Sequence, residues 1–317
     1  MSKGGSTLVL RATPDDEELL GRLRRLPVSA KGVLLSGTMF LLLSTNFAAT
    51  RWSATTWEEV LVRVAAGIVS AIVAALIVSR AEGRPIGLSA ALFTIVYGTM
   101  YLLPATETFY LGSTLPYSQA LGMVVWGALT VAVFSVVATA LFGPEPRGSP
   151  TSSGLRLVMP AREWAWKLLV LAGIWTALFI LFGVTVYQPI AKTFDPTGYA
   201  AEVAKVTNGG VALLSQPFWA VAWVALAVPI LRCLRTNPAA TSLALAGLLG
   251  GFMGVDMLLA TNMGFWLQLG HFLESVGESA VFGLSAVWIL QRGGRLSTPG
   301  GKPSPESVGA GQRAIAW

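Results

Sequence analysis

Eight long apolar runs separated by short polar segments set the pattern of this chain, at approximately 31–50, 60–79, 86–104, 118–142, 165–189, 214–234, 239–261 and 268–290. Each comes close to the roughly 20 residues that a helix needs to cross the hydrocarbon layer of a bilayer. None alternates polar with apolar positions, as the short strands of a membrane barrel do. Lipid offers no partner to a main-chain N–H or C=O, so such runs must fold as helices that satisfy their own backbones. The pattern predicts an all-α, polytopic transmembrane bundle of eight helices.

Composition agrees with the pattern. The chain is 54% hydrophobic and 12% charged, where a soluble domain carries about 25% charge. The net charge of +6 does not point to nucleic acid, because a nucleic-acid binder gathers Lys and Arg on one face. Here the basic residues fall between the apolar runs, and the partner they imply is the lipid bilayer with its anionic surface. The single cysteine, Cys233, excludes an internal disulfide and a CxxC redox or metal pair. The first apolar run begins about 30 residues in with no small-residue cleavage site after it, so it is not read as a secretory signal.

The positions of Lys and Arg predict the orientation. Eighteen fall in alternate segments of one set: Lys3, Arg11, Arg22, Arg24, Arg25 and Lys31; Arg80 and Arg84; Arg147, Arg156, Arg162 and Lys167; Arg232 and Arg235; Arg292, Arg295, Lys302 and Arg313. Only Arg51, Arg63, Lys192 and Lys205 fall in the other set. Both termini are therefore expected in the cytoplasm, with the protein in the cell membrane. Trp52, Trp57, Trp164, Trp166 and Trp266 lie near predicted span ends, as interfacial anchors do.

The chain divides into a cytoplasmic N-terminal segment (1–30), a first four-helix half (31–142), a cytoplasmic linker (143–162), a second four-helix half (163–291) and a Gly-, Ser- and Pro-rich tail (292–317) expected to be disordered. Within the first segment, residues 13–27 predict a short helix. Thr13 caps it, acids follow Pro14, arginines close it, and Leu19, Leu20, Leu23 and Leu26 form one stripe. It either rests on the bundle or inner membrane surface or offers a docking site to a protein partner, as the tail also does. The halves share short strings: Leu121-Gly122 and Ala132-Val133-Phe134 recur 148 positions later as Leu269-Gly270 and Ala280-Val281-Phe282, and the third and seventh runs follow Pro85 and Pro238. The expectation is two parallel repeats about an axis along the membrane normal. Chance similarity between apolar helices is the competing explanation.

Charges inside the spans need a partner or a purpose. Asp256, Glu274 and Glu278 are the acids placed there, and the single histidine, His271, stands beside the two glutamates. At 100° per residue His271, Glu274, Ser275, Glu278 and Ser285 share one stripe of the eighth helix. With Asp256 and with Arg63 near the outer start of the second span, they predict a line of titratable groups from the outer surface to about the midplane. One reading is a proton or cation path, or a binding cavity open to the outside. The other is packing: His271 and Glu274 reach the interface, while Glu278, neutral or paired, bonds a neighbouring helix. A metal site at His271, Glu274 and Glu278 lacks an HExxH-type frame, and no cofactor is called for. Neither a GxSxG elbow nor a supported Cys–His pair is present. The glycines at 247, 250, 251 and 254 predict close packing of the seventh helix, Pro229 a kink in the sixth, and Pro189 the end of the fifth. The segment 191–213 predicts a short outer helix from Asp195-Pro196.

The second half, from WAWKLLVLAGIWTALFILFG through SQPFWAVAWVALAVPILR to LGHFLESVGESAVFG, resembles polytopic prokaryotic inner-membrane proteins of uncharacterised function. The resemblance implies a bacterial or archaeal membrane and no activity. Three function classes follow: a small-solute or ion permease, proton-coupled, using the stripe on the last helix; a non-catalytic membrane subunit or sensor; and an intramembrane enzyme, the least favoured.

Single cysteines in the 143–154 linker and after Arg292 are predicted to be shielded from impermeant thiol reagents in intact cells, and one near residue 200 to label. Labelling of the linker from outside would overturn this orientation.

Overall fold

The computed structural model of the chain describes residues 14–50, 57–106, 117–144, 157, 159–197, 211–234, 238–259 and 265–292. Among them 92% are helical and none lies in a strand. The elements are α1 (Pro14–Arg25), α2 (Val28–Thr50), α3 (Trp57–Val78), α4 (Pro85–Tyr97, extended by a π-turn over Gly98–Leu102) and α5 (Tyr117–Phe142). After the linker come α6 (Ala161–Phe182), a second π-turn (Gly183–Tyr187), α7 (Gln188–Phe194), α8 (Val211–Cys233), α9 (Pro238–Leu259) and α10 (Phe265–Gln291). Among the described residues seven stretches are long and apolar enough to cross a membrane: Val60–Val78, Pro85–Thr106, Ala120–Phe142, Ala161–Phe194, Leu213–Cys233, Pro238–Leu259 and Phe265–Gln291. In α2 the apolar stretch is shorter, Val28–Ser44. The chain is a multi-pass membrane protein.

The sorting of side chains by size shows which faces meet lipid. On α3 the large residues Leu61, Ile68, Ile72 and Leu76 are exposed, while Ala66, Ser70, Ala71 and Ala74 are buried. Small residues inside and branched ones outside are what membrane helices need, because lipid removes the hydrophobic drive and leaves close backbone approach as the source of packing energy. The most closely matched pair, α9 and α10, shows this directly: a Cβ on Gly283 would lie 2.8 Å from the Ala246 Cα, and one on Gly250 would lie 3.0 Å from the Val276 carbonyl oxygen. Gly247 has nothing within 4 Å, so it plays no part in the close packing expected of it. Aromatic side chains fill the centre, with Phe134 edge-on to Phe252 at 6.4 Å and Trp175 edge-on to Phe282 at 5.1 Å.

In the first half α2 packs on α3 and α5, and α4 on α5; in the second α6 packs on α8 and α10, and α9 on α10. Between the halves α3 packs on α9 and α8 on α4. At the end of the bundle next to the 143–160 linker, the linker end, main chain from the two halves meets. Ala81 and Leu234 form a single antiparallel bridge, and the Glu82 N–H donates to the Cys233 carbonyl at 2.6 Å. Nearby, Lys167 is fully buried: Nζ donates to the Leu290 carbonyl at 3.0 Å and pairs with the Glu163 carboxylate at 2.8 Å. A helix leaves its last four carbonyls without intrahelical partners, and Lys167 supplies a charged donor to one of them at the foot of α10. Lys31 stands over the Phe142 ring at 5.9 Å, at the foot of α5.

One expected boundary is corrected. Pro189 does not end the fifth span, because the helix runs on to Phe194. The π-turn ends at Tyr187, and Pro189 follows it directly in the first turn of α7. The sixth span is continuous through both Pro217 and Pro229. The outer helix expected from Asp195-Pro196 lies mostly outside the described residues, as do the linker centre and the tail. In α1, Leu23 packs against the core while Leu19 is exposed.

Gly283→Ala is predicted to lower stability by about 1–3 kcal/mol, the usual cost of overpacking, because the atom it meets is backbone. Gly247→Ala should leave stability unchanged or raise it by up to about 1 kcal/mol. Thermal unfolding in detergent, compared between the two variants, checks the contrast.

Candidate functional site

The polar stripe of α10 is turned into the protein at the end of the bundle away from the linker, the far end. Glu274, Ser275, Glu278 and Ser279 are all buried, while Leu273, Val281 and Leu284 on other faces are exposed. His271 Nδ1 and Glu274 Oε2 lie 3.1 Å apart, one turn from each other on the helix. Glu278 is one further turn towards the linker end, so the stripe extends roughly 10 Å along the axis at 1.5 Å per residue. Ser285, expected in the same stripe, donates to the Val281 carbonyl of its own helix.

The opposing wall comes from the fifth span, and its π-turn builds it. On α6 the buried line runs through Lys167, Leu171 and Trp175. Continued at 3.6 residues per turn through Phe182, that line would reach Val186 and Pro189. A π-turn holds one residue more than an α-turn, and it hands the inward positions instead to Tyr187 and Ala191, both buried. The Tyr187 ring stacks on the His271 imidazole with centroids 4.0 Å apart and planes 28° apart. At the start of the same turn Gly183 faces the carboxylate: a Cβ there would lie 3.3 Å from Glu274 Oε1. One local irregularity therefore supplies both a bare backbone against Glu274 and an aromatic plate against His271.

The far end is fastened around this pair. Gln268 donates to the carbonyls of Met257 and Leu258 at 3.1 and 2.8 Å, which satisfies the end of α9 as a cap does. Gly270 admits the Ile190 side chain at 3.2 Å from its missing Cβ, and Phe194 stacks on Trp266 at 4.7 Å. Deeper in the second half the Trp175 indole donates to Gln216 Oε1 at 2.8 Å.

Of the five residues singled out from sequence, His271 and Glu274 are brought into contact and Glu278 is buried on the same helix. Arg63 is buried on α3, which packs on α9. The side chain of Asp256 lies outside the described residues. Among the described residues no group of three or more His, Cys, Asp or Glu side chains is placed to hold a metal ion. A histidine and a carboxylate at this distance can share one proton, and Glu278 one turn further in is a second carboxyl of the same kind. Sequence reasoning missed Tyr187, Gly183 and the buried setting of Lys167. The available signal was Pro189, a helix breaker inside an apolar run with a glycine six residues before it.

No protein family, curated protein or solved structure matches this chain.

Because the chain has one histidine, its imidazole resonances report this site alone. Gly183→Leu, which pushes on the Glu274 carboxylate, is predicted to move the His271 resonances towards those of Glu274→Gln. Gly173→Ala, with nothing within 4 Å of the added carbon, should leave them unmoved.

Proposed function

We propose that this protein is an eight-span permease of the cytoplasmic membrane of a prokaryote, with both termini inside. In this reading it is built from two parallel four-helix repeats and carries one outward-facing proton- or cation-binding site on its last helix.

The repeat is supported by contacts that occur twice at one offset. Pro85 and Pro238, which open α4 and α9, are 153 positions apart, and so are Ala81 and Leu234, which pair with each other. Gly98 lies against Leu226 and Gly251 against Val73; both glycines and both branched residues are separated by the same 153 positions. Each half thus brings a glycine of its third helix against the same position on the second helix of the other half. The buried Arg63 and Gln216 are a further pair at that offset. In the fourth helices the offset is 148: Phe134 and Phe282 are both fully buried, and the end residues Phe142 and Leu290 each receive a lysine from the first helix of their own half. A residue that pairs with its own counterpart sits on the two-fold axis, so the Ala81–Leu234 bridge marks that axis at the linker end. The scheme gives α2 the place of a first span, matching α6, and the run of Val28–Thr50 is long enough at roughly 34 Å.

The single observation that carries the functional reading is the burial of two carboxylates one turn apart, with His271 bonded to the outer of them. Burying ionisable side chains in a span is costly. A scaffold needing only packing has no reason to set three titratable groups on one inward stripe, and the matching positions of the first half, Met123, Trp126 and Thr130, do without them. The distribution of Lys and Arg puts His271 at the outer surface and Glu278 nearest the midplane. Glu278 is then the group through which a proton or cation passes deeper.

The test is proton flux into dye-loaded proteoliposomes driven by an imposed potential. The wild type should conduct, and Glu278→Gln should lose at least 90% of the flux while keeping its thermal stability, because the amide preserves shape and removes titration. Equal flux in Glu278→Gln, or none in the wild type, rejects the path and leaves the stripe as a packing device.

A further inference from the structure

We infer that Tyr187 plugs the outward end of this site, with the π-turn Gly183–Tyr187 as the element that holds it there. The inference rests on the outward-facing reading of the stripe and adds the residue that controls entry.

Four features place the plug. The Tyr187 ring covers one face of His271 at stacking distance, 4.0 Å between centroids, and His271 is the outermost titratable group of the stripe. Tyr187 is itself buried, and beside it the His271 side chain keeps 19% of its surface accessible, so removal of the ring would uncover the stacked face of the imidazole. Its support is the π-turn, in which hydrogen bonds span an extra residue and geometry is poorer than in an α-turn. Conversion of that turn to α-helix would move the inward register from Tyr187 back to Val186, replacing an aromatic plate by a smaller side chain that leaves the imidazole uncovered. Gly183 at the head of the turn allows the movement, since no side chain there is locked against Glu274. The fifth span is also long enough to carry the plug at its outer end. Ala161–Phe194 comprises 34 residues, roughly 50 Å of helix against a hydrocarbon layer of ~30 Å. With the Trp164 and Trp166 end at the inner interface, Tyr187 falls at the outer one.

The single histidine and single cysteine make the test self-controlled. The protein in proteoliposomes is treated with diethyl pyrocarbonate, which acylates His271, and in parallel with a maleimide, which reads Cys233 at the linker end. Tyr187→Ala should speed His271 modification at least tenfold, and Tyr187→Phe, which keeps the ring, should stay within about twofold of wild type. The Cys233 rate should not change in either. An unchanged His271 rate in Tyr187→Ala, or equal acceleration of His271 and Cys233 through general loosening, overturns the plug. Unchanged modification in Tyr187→Ala together with lost flux in Glu278→Gln discards the plug and keeps the path. Tenfold acceleration with undiminished flux in Glu278→Gln keeps the plug and discards the path.

Discussion

Hydrocarbon provides neither hydrogen bonds nor solvation for charge, and every feature of this chain is an answer to that constraint. Main-chain groups are satisfied within helices. Where helices end, the open carbonyls find side chains: Gln268 at the end of α9 and Lys167 at the end of α10. Where charge must be buried it is given a partner, as with Lys167 and Glu163 at one end and His271 and Glu274 at the other. Helices approach closely where one of them carries glycine or alanine, as at Gly283 and Gly250, and aromatic side chains such as Phe134 and Phe252 fill the centre between them.

The same constraint explains how much was legible in the sequence. Long apolar runs can only be helices, so among the described residues seven of the eight expected spans emerged within about five residues of their limits, while the first is apolar over the shorter stretch Val28–Ser44. The inward stripe of α10 followed from 3.6-residue periodicity, and the placement of His271 beside Glu274 with it. What periodicity cannot reveal is a change of period. The π-turn at Gly183–Tyr187 shifts the inward register by one residue and brings the Tyr187 ring against His271. Lys167 was read as one more basic residue of an inner segment, because the carbonyl that holds it, that of Leu290, is 123 positions away. Gly247 looked equivalent to its neighbours in the glycine series, yet helix facing leaves it open.

Under the proposed superposition, the two halves share scaffold and differ in chemistry. Glycine contacts, buried phenylalanines and the lysines at the feet of the fourth helices occur in both. The titratable stripe occurs once, in the half whose first span is extended by a π-turn and α7 to reach over it. A duplicated frame with one elaborated half lets the other half supply the surface against which the first works. The main-chain bridge between Ala81 and Leu234 joins them on the axis at the linker end, at the opposite end of the bundle from the stripe.

The central claim is that the carboxylates of α10 face the protein interior, on a path that opens to outer water past Tyr187, rather than lipid. Solid-state NMR of the protein in bilayers, with its glutamate carboxyls labelled, measures this by transferring magnetisation separately from mobile water and from lipid acyl chains. Glu274 and Glu278 are predicted to build up signal from water nearly as fast as the His271 imidazole and only weakly from lipid. Faster transfer to Glu278 from the acyl chains than from water would contradict the account.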